Sequence, residues 1–360
     1  MKTLRTGIWQ VSLILLAIMT GCETKPPLIE PIPDVNVDTS YVQIGGPFAG
    51  FSKPQGILLG NDQLFYVADT YGEGSGRIVM MDRAGQVLSS RRVLRPISIA
   101  QDSRLDLLVG GQIVATNGDT VGALLRIRLV DAQHHLEQAR IDTVWRELAR
   151  PARRFPGITT FSDNSYLIVR DGPDNSSFVD PDARVLEFDR NDRFVSPVAA
   201  LATRGGGNGI TDIYQPTSIA SFIGSRDFVL TQSVGQVVYG ALWMVYQRTS
   251  EFEGWLPRFD PARTEDRGID FIRTLYVRPS AVTIARSTRD IFVADAMLDS
   301  VFKFNSRGTF KKESFGRVKT SGAMRRPTGL AYFNADKVLY VLDGELGQVL
   351  RFKLTTDYQR

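Results

Sequence analysis

One short pattern recurs along most of this chain. Lys53-Pro54-Gln55-Gly56-Ile57 is followed by Leu64-Phe65-Tyr66-Val67-Ala68-Asp69, then by Arg77-Ile78-Val79-Met80-Met81-Asp82 and Ala84-Gly85. The same order returns as Arg278-Pro279-Ser280-Ala281-Val282, Ile291-Phe292-Val293-Ala294-Asp295 and Ser300-Val301-Phe302-Lys303-Phe304. It returns again as Arg326-Pro327-Thr328-Gly329-Leu330, Leu339-Tyr340-Val341-Leu342-Asp343 and Gln348-Val349-Leu350-Arg351-Phe352. Each unit is a turn signal followed by three short runs rich in β-branched and aromatic residues, which is strand chemistry at strand length.

Weaker copies begin at Arg95-Pro96-Ile97, Phe155-Pro156-Gly157 and Gln215-Pro216-Thr217. The marker prolines at 54, 96, 156, 216, 279 and 327 are therefore 42, 60, 60, 63 and 48 residues apart. A propeller blade of four strands takes about 40–45 residues, so the longer intervals carry insertions. The expected fold is all-β: a six-bladed β-propeller of four-stranded antiparallel blades. The last unit has only three strands of its own. Tyr41-Val42-Gln43-Ile44-Gly45 is expected to supply the fourth and close the ring, leaving no open sheet edge.

These units resemble the NHL repeat family, whose unit is Pro-x-Gly-aliphatic, then Val-Ala-Asp, then an aliphatic and aromatic strand. The match is strong in units one, five and six and weaker in the middle three. The resemblance implies that Pro and Gly shape the turn into the innermost strand. Asp69, Asp171, Asp295 and Asp343 are read as equivalent strand ends, where a carboxylate accepts neighbouring backbone N–H groups.

The N-terminus reads as an address. Lys2 and Arg5 precede an apolar run from Ile8 to Met19, too short to span a membrane comfortably and patterned as a secretory signal. Met19-Thr20-Gly21-Cys22 resembles the bacterial lipobox, and Cys22 is the only cysteine in 360 residues. That resemblance implies an acylated Cys22 (palmitate among its chains) and a lipid-anchored protein of the bacterial cell envelope, with Glu23 tilting towards an outer membrane. The expected organisation is residues 1–21 as signal peptide, 22–38 as lipidated cysteine and Pro-rich stalk, and 39–360 as the propeller.

Composition narrows the function. The net charge of +4, with both signs interspersed, offers no nucleic-acid footprint. One cysteine and two histidines exclude a disulfide scaffold and a multi-histidine metal site. Loops on one face of a rigid scaffold are where binding concentrates. The longest insertions are expected at Thr70–Gly76, Gln112–Ala123, Gly172–Ala183, Ser233–Gly240 and Gly205–Gly209. In the third unit Arg170 is read as replacing Ala68 and Ala294, next to Asp171 and a loop with Asp174, Asn175, Asp180 and Asp182. Arg170, Asp171, Asp174, Asn175 and, from the fourth unit, Gln232 are the candidate ligand-binding residues. Calcium is the one cation this oxygen-rich loop suggests. Phe252, Trp255 and Phe259 lie in a charged segment expected to cover an edge of blade four.

No nucleophile–base constellation is visible, so no catalytic residue and no metal ligand is assigned. The leading expectation is a monomeric, lipid-anchored binding or scaffold protein that offers a propeller face to a protein, peptide or glycan. The alternative is a metal-dependent lactonase or hydrolase. Against it, the starts of the innermost strands carry no carboxylate: Gln55-Gly56, Ile97-Ser98, Gly157-Ile158, Thr217-Ser218, Ser280-Ala281 and Thr328-Gly329.

Overall fold

Five repeats each fold into a four-stranded antiparallel sheet, the sixth supplies three strands of its own, and the six sheets follow one another in chain order. The computed structural model describes residues 39–357 except 73, 204–208, 236, 238 and 317–323. The signal, Cys22, the stalk and most of the Gly205–Gly209 insertion thus lie outside the described residues. Among those described, the single α-helix is the four-residue turn Asp270–Arg273.

The innermost strands are Lys53–Leu59, Leu94–Gln101, Arg154–Thr160, Pro216–Ser221, Pro279–Ile284 and Pro327–Phe333. Every marker proline lies in or at the start of one of them. The glycine one or two residues later in blades one, three and six does not turn the chain, as the repeat signature implied. It lies inside the strand and admits the neighbouring blade. A Cβ on Gly56 would meet the Ile97 carbonyl at 3.0 Å, one on Gly157 the Ile219 nitrogen at 3.1 Å, and one on Gly329 the Ile57 nitrogen at 3.1 Å. The other three blades place Ser98, Ser218 and Ala281 at this register, all small residues. The size of these side chains sets how closely the innermost strands approach.

Hydroxyl groups stitch every joint of the ring. Thr70 Oγ1 donates to Pro96 O, Ser98 Oγ to Phe155 O, and Thr217 Oγ1 to Pro279 O, at 3.2, 2.6 and 2.9 Å. Thr159 Oγ1 donates to Ser221 Oγ at 2.9 Å between blades three and four. Ser280 Oγ to Pro327 O and Thr328 Oγ1 to Pro54 O, at 2.6 and 3.2 Å, carry the pattern from blade five through blade six to blade one. Outside this polar ring the blades pack through apolar faces. Phe65 meets Tyr340 between blades one and six, and Phe292 stacks on Tyr332 between five and six. Each such pair adds about 0.5–1.5 kcal/mol beyond the area it buries.

The sixth blade takes its outer strand from the N-terminus, as the repeat count requires. Tyr41, Val42 and Gln43 pair with Leu354, Lys353 and Phe352. The strand is interrupted and resumes at Phe48–Ala49 on the same partner. Gly45 makes the break, with φ +59° and the Arg351 guanidinium where a Cβ would sit.

Two expected insertions are ladders. In blade one the strands Phe65–Tyr71 and Ser75–Met81 run on as a hairpin, and in blade two Leu107–Val114 pairs with Thr120–Arg128 up to Val114↔Thr120. Blade three keeps an irregular connection over 172–183. In the Glu251–Asp270 segment, Trp255 and Phe259 are buried in the core and Phe252 is partly exposed. The first two are packing residues of the blade-four edge.

Candidate functional site: the central channel

The six innermost strands enclose a channel of about 1060 Å³. Its wall is a mixture of aliphatic side chains with Gln55, Ser98, Thr159, Ser218, Ser280 and Thr328. Several of those hydroxyls are already committed to the joints between blades. The groups left to deal with a ligand are chiefly the charged ones: Asp171, Arg278, Arg286, Arg289 and Arg326. Four guanidinium groups against one carboxyl make this an electropositive passage.

Asp171 reaches the channel because of its register. Arg154 pairs with Asp171 and Gly157 with Val169 in blade three, whereas Pro54 pairs with Asp69 and Gly56 with Ala68 in blade one. Arg170 is therefore the counterpart of Asp69, Gln232, Asp295 and Asp343, not of Ala68 and Ala294, and Asp171 lies one residue beyond the repeat aspartates. This corrects the sequence-based alignment of both residues.

The repeat aspartates are structural, as expected. Asp69 accepts the N–H groups of Ser52 and Lys53. Asp295 accepts those of Val277, Arg278, Met297 and Leu298, and Asp343 those of Arg325, Glu345 and Leu346. Asp171 has no such duty, and its Oδ1 is buried without a hydrogen-bond partner. Burial foremost, with the nearby Asp182 carboxylate, pushes its pKa up to about 6, against the lowering effect of the Gly172 N–H.

The remaining candidates divide. Arg170 reverses the charge at the repeat position, and its blade compensates with anions. Its guanidinium bonds Glu147, Asp180 and the carbonyls of Pro181 and Asp182. Arg153, 3% exposed, bonds Glu147, Asp180 and Asp182 beside it. Asp174 accepts from Ser176 and Arg150, and these bonds hold its carboxyl down at about 2. Asn175 Oδ1 accepts the Ala183 N–H. Arg170, Asp174 and Asn175 are thus brought together, as parts of one self-satisfied loop. Gln232 is in another blade, accepting from Tyr214 N–H and donating to the carbonyls of Asp212 and Tyr239.

A calcium ion takes six to eight oxygens, several of them carboxylates. The blade-three carboxylates already face Arg150, Arg153 and Arg170, and the channel wall contributes only Asp171 among the described residues. No group of three or more His, Cys, Asp or Glu converges on a metal-sized site among those residues. The donor set does not fit the cation.

Arg278 and Arg326 were not singled out from the sequence. Their signal was present: each directly precedes a marker proline, where Lys53 and Arg95 stand in other blades.

No protein-family model matches the chain, and no curated sequence does. Solved structures do. A gluconolactonase from Xanthomonas campestris superposes with TM-score 0.56 at 13% identity, covering 87% of this chain and 91% of that one. A luciferin-regenerating enzyme gives 0.55 at 12%, covering 88% and 95%. A glucose dehydrogenase gives 0.53 at 11%, covering 87% and 99%. At such identity the likeness is one of fold. This chain has the six-bladed propeller architecture on which those different chemistries are built.

Proposed function

We propose that this chain is a small-molecule hydrolase working in its central channel, with Asp171 as the acid–base group and a compact lactone or ester of a polar, sugar-like molecule as substrate. The observation that carries the reading is the Asp171 carboxyl, which lines the channel with an unpartnered oxygen and a pKa near 6. Such a group is largely ionised at neutral pH, yet poised to take a proton and return it. Asp171 would accept a proton from a water as the water oxygen bonds to the carbonyl carbon. The carbonyl electron pair moves onto its oxygen and returns as the C–O bond to the leaving alkoxide breaks, and that alkoxide receives the proton. The propellers of like fold, each named for a reaction of a small organic molecule, support a channel used in this way. The metal-free form of the reaction follows from the donor set described above.

The test is hydrolysis of a lactone panel by the purified protein. Activity is expected to rise with pH through about 6, and Asp171→Asn to lower kcat about 100-fold or more. The reading fails if no lactone opens faster than in buffer, or if Asp171→Asn keeps its rate.

A second reading, a binding module that offers its upper face to a protein, peptide or glycan, is favoured by exposed apolar side chains on that face. Phe178 is 93% exposed, Leu275 89% and Met297 61%, all in connections at the Asp171 end of the channel. Pull-down from the native envelope fraction with and without Phe178→Ser tests it. Under either reading, the lipobox-like Met19-Thr20-Gly21-Cys22 supports anchorage to the bacterial envelope by lipid on Cys22. Cys22→Ser is expected to release the protein from the membrane fraction.

A further inference from the structure

Charge in the channel is divided between opposite sides of the ring. Asp171 ends the second strand of blade three, while Arg278 and Arg326 stand just before the marker prolines of blades five and six. The pairings Arg154↔Asp171, Pro279↔Asp295 and Pro327↔Asp343 put the starts of innermost strands level with the ends of second strands. All three residues therefore lie at the same mouth. In a ring of six, blade six is opposite blade three and blade five is its neighbour.

These two arginines differ from the others in the channel. At the far mouth, Arg286 donates to Asn61 Oδ1 at 2.8 Å, and Arg289 lies 5.0 Å over the Phe222 ring. Both are occupied. Among the described residues, by contrast, Arg278 makes no side-chain hydrogen bond or ion pair, and Arg326 makes only a 3.3 Å bond to the Gly344 carbonyl. Both are exposed, and neither has a carboxylate partner. Their aspartates, Asp295 and Asp343, are spent on backbone N–H groups instead. The connections beside them, 296–299 and 344–347, are short, whereas blades one and two build ladders up to Tyr71 and Val114. Among the described residues, the arginine side of the mouth is thus the low, open side.

We propose that Arg278 and Arg326 form an oxyanion-binding pair, so that the molecule taken into the channel carries a carboxylate or phosphate at the end facing blades five and six. A guanidinium offers a planar fork of donors matched to two oxygens of such a group, and two forks on adjacent blades can hold one anion between them. The distal end of the ligand then points across the mouth towards Asp171. The assignment of a reacting end at Asp171 rests on the hydrolytic reading; the anion pair does not.

The experiment is isothermal titration calorimetry on the full chain with D-gluconate, inorganic phosphate and neutral D-glucose, repeated in Asp171→Asn so that nothing is turned over. Charged hydrogen bonds predict that gluconate or phosphate binds at least about tenfold more tightly than glucose, with affinity falling as salt rises. Arg278→Gln and Arg326→Gln should each weaken the anion by about fivefold or more, and Arg326→Lys should recover part of the loss. Arg248→Gln, at the end of the third strand of blade four, should leave it unchanged. Gluconate binding without phosphate assigns a carboxylate head, and the reverse assigns a phosphate head. The proposal is overturned if neither anion binds, if glucose binds as well as the anions, or if both glutamine variants melt like the parent and keep their anion affinity. Anion binding without turnover of any lactone would sink the hydrolytic reading and leave this one standing.

Discussion

The Ser280 hydroxyl donates to the Pro327 carbonyl at 2.6 Å, joining blade five to blade six beside the channel. Thr217 and Thr328 make the corresponding bond at two further joints. A buried carbonyl that loses its donor costs about 1 kcal/mol or more. Ser280→Ala is therefore expected to lower the unfolding free energy by about 1 kcal/mol. Ser98→Ala, which removes the bond to Phe155 O at the joint between blades two and three, should add to it within a few tenths. Urea melts of the two single variants and the double variant measure both effects.

Blade three depends on charge balance in a buried place. Arg153 lies between Glu147 and Asp182, and all three side chains are almost fully buried. Arg153→Met would leave two buried carboxylates short of a cation, which costs about 3 kcal/mol or more. Arg150→Met, which breaks the more exposed contact with Asp174, should cost less than about 1 kcal/mol. Urea midpoints at unchanged m-value separate the two. Equal costs would mean that the Arg153 cluster is not held as described.

Asp171 sets function against stability. Its carboxyl holds its proton more tightly in the fold than its ordinary value of 3.8 allows, with a pKa of about 6. A carboxyl raised on folding supports the fold while protonated, and that support is lost as pH rises through about 6. Asp171→Asn stays neutral throughout. It should be more stable than the parent by about 1–2 kcal/mol above pH 7, after allowance for partial exposure, with the gain shrinking towards pH 4. Melts across this range check the sign. An inactive variant that is also more stable at neutral pH would mark Asp171 as a group kept at a cost.

The fold was legible because the repeat writes it several times. Prolines 54, 279 and 327 head units whose strand runs are nearly identical in pattern, so the weak units could be placed between them. The site was less legible because function here lies in departures from the repeat. Asp171 looked like Asp69 by residue type, and only the pairing Arg154↔Asp171 shows that it is offset by one. That offset takes it from a strand-end structural role to the channel wall. Asp174 and Asn175 looked like ligand donors, yet their oxygens are spent on Arg150, Ser176 and Ala183. Arg278 and Arg326 were not singled out, because only the fold shows that both line the channel with no carboxylate beside them among the described residues.

Closure of the ring by Tyr41 gives the last prediction. Tyr41 is 3% exposed, stacks on Phe315 at 5.2 Å and meets Phe292 edge-on at 5.9 Å. Its strand covers the edge of Gln348–Leu354, while Ile44 N–H donates to Arg351 O at 2.8 Å. Deleting residues 1–38 should leave a propeller that melts as the full chain does, because that cut spares every pairing just named. Deleting residues 1–46 removes Tyr41, its aromatic contacts and the outer strand together, so the sixth blade keeps three strands and an open edge. Burying an aromatic side chain of this size contributes about 1.5–3 kcal/mol, before the lost ladder bonds are counted. The longer deletion should therefore melt several degrees lower or aggregate on expression. Tyr41→Ala in the otherwise full chain separates the packing from the pairing: it should destabilise by about 3–5 kcal/mol, the usual cost of truncating a large core aromatic, while leaving the strand in place. Equal melting temperatures for the two deletions would show that the ring is not closed by this strand.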